Sequence, residues 1–323
     1  MLYDRIIKQG TINEPKGKPA PDFALPSTVN WMRAVRILAE DEAIDFKTAT
    51  SFYSREGKRT MDGLVENTVL EQLFLGLHHL SALDQFRGGT TAADYARVGV
   101  LAWYYGVANA ASAMTAAQSG SFQEDHAGTA RLWDEQIAGR GLAMVPFSWR
   151  VSSLVEKTYK AEVDALRNGS AGKLQTRPST KNDALGAAAG YLSGSAKWYA
   201  WKTKEDLKRE RAFKELGVDS FCSKAARALR DQRLERKPVG FVHQAARYRG
   251  KANYREALFL AYGSGTEAIL SGYVEDMHAV LEAFLAMAGA FARRKLGKGL
   301  WAEFVADVDA KKAFTTRAGD IWA

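Results

Sequence analysis

Proline is spread very unevenly along this chain, and that limits the folds open to it. Four of the seven prolines, Pro15, Pro19, Pro21 and Pro26, fall within the first 26 residues. Residues 27–323 hold only Pro146, Pro178 and Pro238. Proline removes a backbone donor and clashes with the preceding helical turn, so long helices need it to be scarce. The same region is rich in Ala, Leu, Glu, Lys and Arg, and no segment sustains the alternation of a half-buried strand. The expected fold class is therefore all-α: a multi-helix bundle behind an extended, Pro-rich arm at residues 1–26.

Helices are expected at 27–42, 43–57, 60–86, 91–118, 125–138, 149–168, 184–214, 220–235, 242–262, 266–296 and 300–314. Thr91 and Asp94 read as a capping box for the fourth. That helix is apolar nearly all round, as central bundle helices are. Gly99, Trp103, Gly106, Ala110 and Ala113 alternate small and large groups along it, which permits close helix approach. "NGSAGKLQTRPSTKND" (168–183) is the best internal linker. It divides an N-terminal helical half, 27–167, from a C-terminal half, 184–323, although one continuous bundle fits equally well.

At 46% apolar residues over 323 positions, the chain can bury a sizeable core. Its one cysteine, Cys222, cannot form an internal disulfide or a thiolate cage, which suits a reducing compartment. The N-terminus lacks the apolar run of a secretory signal, and no stretch of about 18 apolar residues predicts a membrane span. A cytoplasmic protein with no membrane partner is expected.

The net charge of +8 has a definite location. Residues 201–260 hold sixteen Lys/Arg and eight Asp/Glu, so this segment alone accounts for the whole excess. A concentrated basic segment favours an anionic partner, although solvated mixed-charge helices are also common.

Motifs for particular chemistries are missing. There is no Walker loop, no G-x-S-x-G elbow, no H-E-x-x-H and no cysteine pair. A di-iron bundle needs two Glu-x-x-His pairs, and only Glu275–His278 exists, a spacing met on solvated helix faces. No cofactor or metal is expected. Of the remaining histidines, adjacent His78 and His79 suit structural positions. His126 opens a helix beside Glu124 and Asp125, whose charges suit an N-terminus.

His243 has the most suggestive surroundings. With Arg247, Lys251 and Arg255 it forms a stripe at helical spacing of four, inside the run continuing as "RYRGKANYREALF". Like charges at that spacing cost a few tenths of a kcal/mol per pair unless acids or phosphates face them. Distant acids such as Glu267, Glu275 or Asp276 are one way to balance the stripe. Interleaved Arg249, Tyr248 and Tyr254 could stack bases beside phosphates, or the tyrosines could be buried against a neighbouring helix.

"VGVLAWYYGVANAASAMTAA" followed by "EDHAGTARLW", and later "RYRGKANYREALFLAYG", resemble the central and late helices of HEPN-superfamily proteins, over about residues 90–290. The resemblance implies an α-helical bundle in a prokaryotic defence or toxin–antitoxin setting, often dimeric, often a metal-independent ribonuclease. It further implies an Arg–x4–6–His pair, which only Arg236 and His243 provide. Arg236 would stabilise the developing phosphate charge and His243 would move a proton. Here Pro238 and Gly240 separate the two, whereas the family's pair lies within one helix. Three expectations follow: a protein binding RNA, or less readily DNA, or a nucleoprotein through residues 201–260; a ribonuclease using Arg236 and His243; or a non-enzymatic scaffold subunit, as homodimer or larger assembly.

Overall fold

The computed structural model describes residue 5 and residues 21–89, 91–253, 257–263 and 265–323, with side chains from residue 24 onward in the first helix. The described residues form helices and no strands; a single bridge, Val151 to Val239, is the one β-type pairing. The all-α expectation holds.

The helices are α1 (Pro21–Asp41), α2 (Phe46–Phe52), α3 (Gly63–Arg87), α4 (Ala92–Ser119), α5 (His126–Gln136), α6 (Glu156–Arg167) and α7 (Lys181–Arg209). They continue as α8 (Arg211–Lys214), α9 (Lys224–Glu235), α10 (Phe241–Asn253), α11 (Thr266–Leu270), α12 (Tyr273–Leu296), α13 (Lys298–Lys311) and α14 (Ala318–Trp322). The expected arm at 1–26 is corrected at its end. Pro21 starts α1, where a missing N–H costs nothing, and Pro26 lies inside the helix. The rest of the arm, apart from Arg5, lies outside the described residues.

Central α4 packs on α3, α12 and α10, and α1 packs on α7 and α12. Small residues set the closest approaches. A Cβ on Gly106 would meet Leu281 Cδ2 at 2.5 Å, and one on Gly99 would meet Met277 Cε at 2.8 Å. The alternation of small and large residues along α4 is thus used against α12.

Two apolar clusters fill the bundle. One is built from residues 24–147 together with Tyr191 and residues 241–322. The other joins Ala34 and Leu38 of α1 to residues 149–239. Segment 168–183 connects two helices of the second cluster, so the apolar core is not divided there. Its start and end are pinned: Asn168 caps α6 in left-handed conformation, and Thr180 with Asp183 forms a capping box on α7.

Several boundaries differ from expectation for local reasons. The helix expected at 149–168 begins only at Glu156, because Val151 pairs with Val239. α7, expected at 184–214, starts at Lys181 and stops at Arg209. The helix expected at 266–296 is interrupted at Gly272, whose φ of 74° belongs to the left-handed region. At the start of α4, Thr91 makes no side-chain cap. Glu267 of α11 instead accepts from Ala92 N at 2.7 Å and Ala93 N at 3.2 Å. No helix among the described residues is long and apolar enough to cross a membrane.

Candidate nucleic-acid interface

The turn from α9 into α10 brings Arg236 and His243 to the same place. Pro238 cannot extend α9, and Val239 pairs with Val151, so the chain re-enters a helix at Phe241. Arg236, at the C-terminus of α9, and His243, in the first turn of α10, both line a cleft of about 430 Å³ between α5, α7 and α10.

His243 is set deep in the wall of this cleft. Its Nδ1 accepts from Gly240 N at 3.3 Å, which leaves the proton of the neutral ring on Nε2. Tyr199 lies edge-on to the ring at 5.7 Å and donates to His243 O at 2.9 Å. Loss of solvent, opposed by Asp134 and reinforced by Arg150, pulls the His243 pKa to about 4. The ring is neutral at neutral pH and weakly basic. Beneath it, fully buried Asp134 receives Arg150 in a fork, Nε to Oδ1 at 3.1 Å and Nη2 to Oδ2 at 2.8 Å.

Other cleft residues escaped sequence reasoning. α5 supplies Arg131 and α7 supplies Trp198, Tyr199 and Lys202; Lys237 follows Arg236. The signal was present in "KWYAWKTK", which interleaves aromatics with cations. Arg247 stacks its guanidinium over Tyr191 at 5.4 Å and Trp198 at 6.0 Å, and donates to Ser195 Oγ at 3.2 Å. Lys202 lies over the other reach of Trp198, at 5.6 Å. Acids on the cleft are Glu135, paired with Arg131 at 3.4 Å, and Asp206. Lys202, Arg236, Lys237 and Arg247 make no ion pair among the described residues. The Lys237 pKa is held low by desolvation and then by neighbouring Arg233.

The rest of the expected stripe divides. Lys251 lies over Tyr191 at 5.4 Å, with its Nζ 3.4 Å from Thr28 Oγ1. Arg249, interleaved with the stripe, does not line the cleft but donates to His126 Nε2 on its α5 wall at 2.7 Å and lies over Tyr104 at 5.1 Å. Burial and then this cation hold the His126 pKa down. Tyr248 is corrected outright as a base-stacking residue. It is completely buried, donates to Thr28 O at 2.8 Å and hydrogen-bonds Tyr273. Tyr254 and Arg255 lie outside the described residues. Two of the three distant acids are engaged elsewhere: Glu267 caps α4, and Asp276 binds Arg33 at 2.7 Å and Arg36 at 3.0 Å.

A larger cavity, about 570 Å³, lies against α1, α2, α12 and α14. It mixes Arg36 and Lys47 with Glu40, Asp45, Glu282 and Asp320, so it lacks an excess of cations. His278 faces Asp84 at 3.7 Å and Glu282 at 3.5 Å, and burial takes its pKa to about 4. No set of three or more His, Cys, Asp or Glu among the described residues is arranged as metal ligands. Comparison with family models, curated proteins and solved structures gives no match for the chain.

Proposed function

We propose that this protein binds nucleic acid, RNA ahead of DNA, by taking phosphates into the cleft between α5, α7 and α10. The observation that carries the reading is the group of Lys202, Arg236, Lys237 and Arg247 around one concave surface, none in an ion pair among the described residues, beside the face of Trp198. Unneutralised cations attract phosphates, and an indole beside them gives a base a surface to stack on. The resemblance to HEPN proteins extends the reading to a cytoplasmic component of a prokaryotic defence or toxin–antitoxin assembly.

Binding of a labelled single-stranded RNA, followed by anisotropy across a salt series, tests this. Wild-type protein should bind, with affinity falling as salt rises. Lys202→Glu with Arg236→Glu should lower affinity at least about tenfold and flatten the salt slope by about 1.4, two contacts at 0.7 each. Both side chains are exposed, so the folded state should survive. Unchanged binding in the double variant would refute the assignment, as would wild-type protein that binds no RNA.

A ribonuclease reading stands second, because Arg236 and His243 share the cleft. Its test is cleavage of RNA in the presence of chelator, lost in Arg236→Ala and in His243→Gln. A histidine with pKa near 4 is a weak general base at neutral pH, which ranks binding first.

A further inference from the structure

A second cleft flanks α7 beside the one assigned above. The second, about 470 Å³, lies between α6, α7 and α9. Buried Leu154 lines both, so the two share a floor. On α7 the division follows helical geometry. Trp198, Lys202 and Asp206 face the first cleft; Lys197, Ala200 and Lys204 face the second. At 100° per residue, Trp201 falls on the outer ridge between the two sets. Trp201 is 55% exposed, the most exposed aromatic among the large apolar residues described.

The second cleft repeats the charge imbalance of the first. Its two acids are already engaged, Glu156 with Lys160 at 2.6 Å and Asp231 with Arg230 at 2.7 Å. Lys157, Lys197 and Lys204 line the same cleft and make no ion pair among the described residues, although Lys204 and Lys197 act on Glu156 through space. Between the two clefts, Trp201 leaves more than half of its surface in water. Its flat face, flanked by cations on both sides, is complementary to a base whose neighbouring phosphates lie to either side.

We propose that the second cleft is a further phosphate-binding subsite, and that one single strand crosses α7 over Trp201 to occupy both clefts. This rests on the reading of the first cleft as a phosphate site and adds the path of the ligand. A helix with its side chains is about 10–12 Å across, which a strand spans in about three to four nucleotides at 3.4 Å each. A duplex is excluded from the ridge contact, because its bases stack on one another and offer Trp201 no face.

The test compares wild-type protein, a ridge variant (Trp201→Ala), a second-cleft variant (Lys197→Glu with Lys204→Glu) and the first-cleft variant (Lys202→Glu with Arg236→Glu). Each is titrated with an RNA dinucleotide and an RNA octamer. In the wild type the octamer should bind at least about tenfold tighter than the dinucleotide, and quench indole fluorescence that Trp201→Ala lacks. Ridge and second-cleft variants should lose that length advantage. The first-cleft variant should weaken the octamer too. Full octamer affinity in the ridge and second-cleft variants, with loss only in the first-cleft variant, would overturn the second subsite and leave the first standing. No octamer binding by the wild type would remove both.

Discussion

Gly240 lies so close to Asp134 that a Cβ on the glycine would meet Asp134 Oδ1 at 2.6 Å. The Gly240 N–H donates to His243 Nδ1, while Arg150, whose Cβ would lie 3.7 Å from that same Cβ, clamps the carboxylate. The turn that places Arg236 and His243 on one cleft therefore depends on a missing side chain. Gly240→Ala should destabilise the fold by about 1–3 kcal/mol, since neither the buried carboxylate nor its clamp can yield freely. Denaturant unfolding measures this, and a loss under about 0.5 kcal/mol would show that the contact relaxes without cost.

The Arg150–Asp134 pair should itself be costly to break. Asp134 has no exposed surface, and its carboxylate has both oxygens bound by Arg150. Arg150→Met should cost about 3–5 kcal/mol, because it strands a charge out of water. Asp134→Asn with Arg150→Met should recover part of that loss. A double variant as unstable as the single one would locate the damage in packing instead.

Tyr248 illustrates what the sequence concealed. In "RYRGKANYREALF" it is flanked by cations, yet α10 turns it into the core, where its ring is 4.7 Å from that of Trp31. Tyr248→Phe should cost about 1–2 kcal/mol through the lost bonds to Thr28 and Tyr273. RNA affinity should remain at the wild-type value. A fall in affinity beyond that of equally destabilised core variants would return Tyr248 to the binding surface.

Close helix approach gives a separate prediction. Gly106→Ala drives a Cβ into Leu281, whose Cδ2, Cδ1 and Cγ would lie 2.5, 2.8 and 3.2 Å away. The expected loss is about 1–3 kcal/mol. Leu281→Ala in the same chain should then cost less than it does alone, and strict additivity in the double-mutant cycle would contradict the contact.

Local chemistry made much of the bundle readable: scarce proline, the small residues of α4, and Asp125, whose side chain accepts from Ala127 N and Gly128 N to start α5. What escaped depends on distant partners. Thr91 looked like a cap, but Glu267, far along the chain, takes the orphan N–H groups. Asp45 and Asp62 start their helices by short-range bonds to Thr48 N and Val65 N, yet the lengths that follow are set by tertiary packing. The cleft was legible only in part. Arg236, His243 and Arg247 lie within twelve residues, whereas Arg131 and Trp198 reach them only through the fold. A helical stripe of charge shows which residues share an azimuth; it does not show which way that azimuth faces. Arg249 and Tyr248 sit beside Arg247 in sequence and turn to other surroundings.

His243 contributes to the pH dependence of stability alongside His79 and His278, whose pKa values burial also lowers to about 4. Its pKa in the folded chain is about 4, against an ordinary 6.5. The unfolded chain therefore takes up a proton more readily, and the stabilisation present above pH 6.5 is lost as pH falls from there toward 4. From pH 7.5 to 5, His243 should account for a loss of about 2 kcal/mol, most of it below pH 6.5. Unfolding in denaturant at pH 7.5, 6 and 5, compared between the wild type and His243→Gln, isolates this share from those of His79 and His278. His243→Gln can lower stability overall by disturbing the bond to Gly240, but its curve should be flatter than that of the wild type by the same amount. Parallel curves would mean that the ring takes up its proton equally readily in the folded and the unfolded chain. That outcome would also change the cleft's chemistry, since below about pH 6.5 a charged His243 would join Lys202, Arg236, Lys237 and Arg247 as a further cation on its wall.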